Sequence, residues 1–252
     1  MSWAGFRRHR GGGCADVYVG SRRVQWRDAA GGHGHQSVGD PKDLAAAARA
    51  AVERFTPRKS IEVRLWLSGG LCPALLDAPV DGVEHDDERV RLLQARLVDE
   101  GWFSRAPAVW LERGTPLQPR LAAAVDRVVV QGLVASLASL PAKVRSIRPW
   151  WSEPLRVFSR AVPAGVSGAL AVADCDSLTV LAGSAEAYAR AATQPCASGT
   201  EALLEWQRQR IGLALAEASP CRAIHLGQGI AAVPAAGEFA AMAFADCTEP
   251  LR

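Results

Sequence analysis

Short apolar runs separated by polar turns recur along this chain, and two of them repeat one arrangement. Cys14–Trp26 and Gly168–Ser184 each contain an apolar run, a short polar turn and a second apolar run, which is the pattern of a β-hairpin. Ile61–Leu67 alternates apolar and polar positions as a half-buried strand does, and Ser68-Gly69-Gly70 ends it. The sequence therefore predicts two copies of one hairpin unit in different parts of the chain.

The remaining apolar spacing predicts helices alternating with further strands. Asp40-Pro41 supplies an N-cap and a first-turn proline for a helix that continues to about Phe55. Helices are also expected at 86–100, 119–140 and 199–217, and strands at 107–111, 144–149, 155–158, 169–173, 178–181 and 223–226. Ala29–Gly39 is expected to be a loop. Strands cluster and helices follow, twice, which favours a mixed α/β protein of two lobes.

This order also predicts the division of the chain. Residues 1–13 are polar, basic and glycine-rich, and are expected to form a flexible arm. Residues 14–149 form the first lobe, with 119–140 as its central helix. Residues 150–252 form a second, shortened lobe, which Trp150–Pro163 connects to the first.

Composition narrows the class of protein without identifying it. The 252 residues are 49% hydrophobic and 22% charged, as in ordinary globular proteins, and the net charge of +3 is too small to indicate a nucleic-acid partner. No stretch approaches the roughly 18 to 20 apolar residues that cross a bilayer, and no signal peptide is recognisable. The six cysteines show no C-x-x-C spacing and are expected to be buried, reduced thiols in a cytoplasmic protein.

The order of these elements resembles the two-lobed actin-like fold, which is ribonuclease H-like and has mixed sheets flanked by helices. More narrowly, the chain resembles the cytoplasmic actin-like proteins of type IV pilus assembly, the PilM type, and the cytoplasmic domain of type II secretion protein L. The segments that carry the resemblance are Asp16–Trp26, Arg64–Gly70, Leu121–Leu140 with Ile147–Pro149, Ala171–Leu181, and Trp206–Leu215 with Ile224–Gly229.

The resemblance implies a nucleotide cleft between the lobes. In that fold two hairpin turns hold the phosphates, because backbone N–H groups in a glycine turn bind anions and a nearby carboxylate holds Mg²⁺. By this resemblance the cleft residues are Gly20 and Ser21 in the first turn, Asp174 and Asp176 in the second, and Gly227 and Gly229 near the adenosine.

This sequence departs from the family's pattern in both turns. The family has Asp-x-Gly, whereas Tyr18 stands two positions before Gly20, and Asp176 stands where the second turn has glycine. A second carboxylate facing the cleft would repel a phosphate. ATP hydrolysis, nucleotide binding without turnover and loss of nucleotide binding all stay open. The departures favour loss, and ordinary turn chemistry also explains these residues.

The function that the resemblance implies is a cytoplasmic scaffold of a type IV pilus or type II secretion-like assembly. It would lie at the inner membrane by binding the cytoplasmic tail of a membrane-anchored partner, with nucleotide binding weak or lost and no catalytic residues. One alternative is a small-molecule kinase of the same fold, which would need ATP, Mg²⁺ and Asp16 or Asp174 as metal ligand or base. A third is an unrelated mixed α/β protein.

Two consecutive tryptophans are the candidate contact with a partner. Trp150 and Trp151 follow a proline in a chain that has eight tryptophans, and alternation makes it hard for both to enter one core. Exposed aromatic side chains on a rigid loop are typical anchors of protein interfaces. The alternative is that one packs between the lobes and the other covers it.

Other clusters have simpler explanations than a site. His33-Gly34-His35 offers two imidazoles but has no neighbouring cysteine or paired carboxylate. The acidic run 84–88 complements a helix dipole without any ion. Phe6–Arg10 would attract anionic lipid only weakly, and Ser68 lacks the glycine two positions earlier that a hydrolase elbow needs. No metal site is therefore predicted.

Overall fold

The computed structural model describes residues 14–28, 32–54, 61–115, 117–163, 165–184, 187–197, 199–211, 213, 221–226 and 239–242. Within them the strands are β1 Cys14–Gly20, β2 Arg23–Arg27, β3 His33–Ser37, β4 Ile61–Leu67, β5 Ala74–Asp77, β6 Ala108–Leu111, β7 Arg120–Val125, β8 Ala142–Pro149, β9 Gly168–Ala173, β10 Ser177–Gly183, β11 Tyr188–Pro195, β12 Cys221–Leu226 and β13 Phe239–Met242. The helices are α1 Leu44–Glu53, α2 Asp86–Asp99, α3 Arg127–Leu137, α4 Ser152–Ala161 and α5 Gly199–Ile211.

Two five-stranded sheets share one topology. The first sheet has the order β3-β2-β1-β4-β8 and the second has the order β11-β10-β9-β12-β13. In each, three strands form an antiparallel meander and two more run parallel to its first strand. A three-stranded antiparallel small sheet has the order β5-β7-β6. The α/β class, the mixed sheets and the repeated hairpin are thus confirmed.

Helices cover the outer faces of these sheets. The apolar face of α1 (Ala47, Ala48, Ala51) and Leu133 of α3 pack on the first sheet. Trp206 of α5 packs on the second sheet, and α2 packs on the small sheet. The largest core also includes Leu170, Val172 and Leu181 of the second sheet. Apolar packing therefore continues from one lobe to the other.

The expected long helix at 119–140 is wrong. Residues 120–125 form β7, Asp126 caps the next helix by accepting a hydrogen bond from Val128 N at 2.8 Å, and α3 follows. The error has a physical cause. All six residues of β7 are buried, because Ala122 and Ala124 face α2 while Leu121 faces the main core. A strand buried on both faces loses its alternation and reads like a core helix.

Two more expectations are wrong. Ala29–Gly39 is not only a loop, because 33–37 form β3, an edge strand with few apolar side chains. Gly34 lies against the Trp26 ring there, and a Cβ on it would come within 2.4 Å of Trp26 Cζ2. The segment 155–158 lies within α4 instead of forming a strand. Strands β5, β11 and β13 were not predicted.

The predicted strands at 61–67, 107–111, 144–149, 169–173, 178–181 and 223–226 and the helix at 86–100 are confirmed within a few residues at each end. The helix expected at 199–217 is confirmed as far as Ile211, and residues 214–217 lie outside the described residues. Asp40 also caps as expected, since its side chain accepts from Lys42 N at 2.9 Å before a turn of 3-10 helix at Pro41–Asp43. Among the described residues no helix is both long and apolar enough to span a bilayer.

A buried ion pair fixes α2 to the small sheet. Arg89 and Asp77 are both buried, and Arg89 Nε lies 2.8 Å from Asp77 Oδ2. We expect Arg89→Met to lower the free energy of unfolding by about 3 to 5 kcal/mol, because it leaves a buried carboxylate without its partner. Urea denaturation measures this loss. Arg96→Met, on the same helix, removes an exposed pair with Glu100 and should cost less than about 1 kcal/mol. Equal losses in the two variants would contradict the assignment.

Candidate functional site

The two hairpin turns that the resemblance assigns to phosphate binding lie in direct contact. Ser21 N, after β1, donates to Asp176 Oδ2 at 2.7 Å. Tyr18 Oη lies 3.3 Å from Cys175 Sγ, and a Cβ on Gly20 would come within 2.3 Å of that sulfur. The space between the turns is therefore filled by protein atoms.

The segment after β4 joins the same contact. Ser68 Oγ donates to Asp176 Oδ2 at 2.8 Å, and Gly70 N donates to Asp176 Oδ1 at 3.3 Å. Gly69 N donates to Asp174 Oδ2 at 2.7 Å. We refer to these two carboxyl groups and their donors, the Ser21 N–H and the Ser68-Gly69-Gly70 segment, as the carboxylate clamp. It links the first sheet to the second.

Glycine is required next to the clamp because the chains approach closely. A Cβ on Gly69 would come within 2.5 Å of Ser177 Oγ, and one on Gly70 within 2.7 Å of Asp176 Oδ1. Any larger residue at either position would push the second turn away. Ser-Gly-Gly, which ends a strand in the sequence pattern, thus has a further role in joining the lobes.

The second turn holds Asp174 in place. Its Oδ1 accepts from Ser177 N at 2.9 Å, from Ser177 Oγ at 2.7 Å and from Asp176 N at 3.3 Å. Both carboxyl groups are buried. The geometry therefore fixes two acidic side chains side by side in a water-poor environment.

Burial and proximity separate the two pKa values. Burial, and then the charge of Asp176, raise the pKa of Asp174 well above its ordinary value. Burial also acts to raise the pKa of Asp176, but hydrogen bonds from Asp174, Ser21 and Ser68 outweigh it and lower that pKa. These opposite shifts favour a neutral Asp174 beside an ionised Asp176, because two adjacent carboxyl groups resist ionising together.

These contacts determine what the cleft can bind. Backbone N–H groups in adjacent turns form an anion site, and here Ser21, Gly69 and Gly70 supply them. The anion that accepts them is the protein's own carboxylate. A nucleotide phosphate would need the same donors and would meet the negative charge of Asp176. The residues present therefore do not fit the phosphates of ATP in this arrangement.

Asp16, the other candidate metal ligand, is also committed elsewhere. Its Oδ2 lies 2.6 Å from Arg64 Nη2, and its Oδ1 accepts from Trp66 Nε1 at 2.9 Å. Burial raises its pKa despite the nearby Arg64 charge. Both carboxyl oxygens of Asp16 and of Asp174 therefore already have a hydrogen-bond or ion-pair partner within the protein. Gly227 and Gly229 lie outside the described residues.

The expectation that Trp150 and Trp151 are exposed anchors is wrong. Their side chains are 0% and 2% exposed. Trp150 makes edge-to-face contacts with Tyr18 and Trp66, each with ring centroids 6.1 Å apart, and Trp151 Nε1 donates to Cys72 O at 2.9 Å. Both can be buried because the chain turns into α4 here, so strand alternation does not apply.

The histidine pair and the acidic run lie apart from the cleft, and Phe6–Arg10 lies outside the described residues. His33 and His35 are exposed on the edge strand β3. In the acidic run, Asp86 pairs with Arg120 at 2.8 Å, and the hydrogen bond from Arg120 lowers the pKa of Asp86. Asp86, Asp87 and Glu88 lie in the first turn of α2, as the helix-dipole explanation predicts.

A groove that the sequence did not predict lies next to Trp151. It has a volume of about 290 Å³ and lies between β6 and β7 of the small sheet and the end of β8, with Trp151 at its floor. We call it the edge groove, because β6 and β8 are edge strands of their sheets. Trp110, which is 36% exposed, lies on its wall. The apolar run 107–111 was the signal in the sequence, but only the fold places it opposite β8.

The carboxylate clamp should be replaceable by an external anion. We expect Asp176→Ala to lower the free energy of unfolding by about 3 kcal/mol, because buried donors lose their charged acceptor. Formate or phosphate should restore about 1.4 kcal/mol at ten times its Kd, since it would occupy the vacated donors. Thermal unfolding with and without each anion measures this. Wild type and Asp81→Ala, an exposed acid, should not respond to these anions, and wild type should not respond to Mg-ATP. Absence of rescue would contradict the anion-site assignment.

The opposite shifts of the two pKa values predict a pH dependence of stability. Asp174 has a raised folded pKa, so its contribution is complete below its ordinary pKa of 3.8 and is lost as pH rises through the folded value. Asp176 has a lowered folded pKa, so its contribution is lost as pH falls through that value. We expect the unfolding free energy of wild type minus that of Asp174→Asn to decrease from about pH 4 upward and then level off. Urea denaturation at several pH values tests this, with Asp81→Asn as control. A difference independent of pH would refute the raised pKa of Asp174.

The sequence matches no protein-family model. It also matches no curated protein sequence. The solved structures whose folds are similar to that of this chain include the following three. A Bacteroides thetaiotaomicron protein of unknown function with an actin-like ATPase fold has a TM-score of 0.58 at 10% identity, over 87% of this chain and 83% of that one. The PilM-PilN type IV pilus biogenesis complex has a TM-score of 0.56 at 11% identity, over 86% of this chain and 81% of that one.

The cytoplasmic domain of EpsL, an inner membrane component of the type II secretion system of Vibrio cholerae, has a TM-score of 0.51 at 13% identity, over 84% of this chain and 82% of that one. At such identities the similarity concerns the fold. The chain therefore has an actin-like fold, and its structural neighbours include the pilus and secretion proteins that the resemblance named.

Proposed function

We propose that this chain is a cytoplasmic assembly scaffold that binds the cytoplasmic tail of an inner-membrane partner in the edge groove. Its lobes are held together by the carboxylate clamp in place of a nucleotide. The protein would lie at the inner membrane through that partner. The observation that carries the proposal is the edge groove itself, each wall of which has a strand edge that no other described strand pairs with.

The strand edges give the groove a means of binding an extended segment. In the described part of the chain, β6 pairs only with β7 and β8 pairs only with β4. The outer edges of these strands present backbone N–H and C=O groups that an added strand can pair with. Main-chain pairing of this kind suits a tail that has no fold of its own.

The lining of the groove supplies apolar contacts for such a tail. Leu111, Leu121 and Ile147 contribute aliphatic surface, and Trp151 closes the floor. Trp110 is large, partly exposed and rigid, which are the properties of residues that dominate interface energies. An extended peptide would therefore gain both backbone pairing and apolar burial.

The clamp and the structural neighbours support the same proposal. A cleft that has its own carboxylates on the phosphate donors has no evident use for ATP, which disfavours the kinase alternative. EpsL is an inner membrane component of a secretion system, and PilM forms a complex with PilN. A membrane-anchored partner is the corresponding inference for this chain.

Two tryptophan variants test the groove. The probe is a set of short peptides that tile the cytoplasmic tails of inner-membrane proteins encoded beside this chain's gene. We expect one of them to bind wild type, and Trp110→Ala to weaken that binding by about 10- to 30-fold, because an interface anchor is lost. Titration calorimetry measures the affinities.

Trp102→Ala is the matched control for this experiment. Trp102 is 48% exposed and does not line the groove, so its loss should leave the affinity unchanged. Equal weakening by both variants, or unchanged binding in Trp110→Ala, would rule out the edge groove as the binding site. Failure of wild type to bind any of the tails would contradict the scaffold function.

A further inference from the structure

Glu112 lies where three cavities meet. It follows β6 directly and lines the edge groove of about 290 Å³, a second cavity of about 280 Å³ and a third of about 120 Å³. Trp151 and Leu121 are shared by the first and third cavities, and Leu155, Ser159 and Tyr188 by the second and third. The three cavities thus form one extended groove with a single acid near its middle.

Apolar surface lies on both sides of that acid. The edge groove has the aliphatic lining described above, and the half-buried Arg148 stands at the β8 end of its wall. The second cavity is lined by Leu155 and Phe158 of α4 and by Val162 just after it, opposite Leu181 of β10. An extended occupant would therefore meet apolar, acidic and again apolar walls along its length.

No cation of the described residues neutralises Glu112. Its carboxylate has no Lys, Arg or His within ion-pairing distance in the part of the chain that the structure describes. Arg156, which also lines the groove, pairs with Glu153 at 2.7 Å. Arg120 reaches the Glu112 carbonyl at 3.4 Å, but its charge is paired with Asp86.

The surroundings make this carboxylate an unfavourable place for a lone charge. Glu112 is half-buried, and burial raises its pKa although the backbone of Leu121 hydrogen-bonds to it. Burial, and then the charge of Glu112, raise the pKa of Tyr188 across the groove. A bound cation would lower the cost of ionising Glu112, because opposite charges stabilise each other in a partly desolvated site.

We infer that the groove selects a tail in which a lysine or arginine pairs with Glu112 while aliphatic residues on either side fill the flanking cavities. This inference rests on the proposed function, since it names the chemistry of the same occupant. The groove thereby combines an apolar requirement, set by β6, β8 and α4, with a charge requirement set by one residue.

Selection of random peptides displayed on phage, with the full chain immobilised, tests this pairing. Wild type should enrich peptides that contain aliphatic residues and at least one basic residue. Glu112→Gln should keep the aliphatic preference and lose the basic one, and Glu112→Lys should enrich acidic residues instead. Glu88→Gln, an exposed acid outside the groove, is the matched control and should select as wild type does.

A double-mutant cycle on the best peptide then measures the pair. Replacing its basic residue with norleucine should weaken binding to wild type about tenfold and leave binding to Glu112→Gln unchanged. Aliphatic peptides whose basic preference is the same in wild type and Glu112→Gln would overturn this inference and leave the scaffold function standing. Enrichment of no peptide by wild type would instead contradict the scaffold function itself.

Discussion

The hydrogen bonds from the first lobe to two buried carboxyl groups of the second determine the arrangement of this molecule. Ser21, Ser68, Gly69 and Gly70 direct N–H and O–H groups across the cleft, and one turn of the second sheet supplies the acceptors. Buried donors without acceptors are costly, so the lobes are stable only when the turns meet. In an actin-like fold a nucleotide would supply that bridging anion. Here the side chain of Asp176 supplies the anion, so the contact between the lobes needs no bound ligand.

The contact between the lobes also affects the edge groove. Trp150 packs on Tyr18 and Trp66 directly beneath the clamp, while the next residue, Trp151, forms the floor of the edge groove. The walls of the extended groove come from both lobes, since β6 and β8 belong to one and β10 to the other. Fixing the lobes therefore fixes the shape of the groove. A preformed site loses less entropy on binding a flexible tail than a site that must first assemble.

Several features of the fold could be predicted because they depend on local chemistry. The repeated hairpins, the Asp40 cap and the helix after the acidic run at 84–88 follow from turn residues, alternation and dipole complementarity within a few positions. The wrong predictions for β7 and β3 share one cause. Strand β7 is covered on both faces and β3 is an exposed edge of polar residues, so neither shows the alternation of a half-buried strand. The segment 155–158 was too short a window to separate a strand from the middle of α4.

The sequence by itself determined the mixed α/β class and the two hairpin turns, because hairpin patterns are local facts, while the resemblance implied that the two turns face one cleft. Only the tertiary structure decided what those residues do. Asp176 turns from a group expected to repel a phosphate into the acceptor that replaces one, because Ser68 and Gly70 approach it from more than a hundred positions away in sequence. The same holds for Trp150, Trp110 and Glu112. Their burial or exposure depends on how separate sheets pack, and no local pattern contains that information.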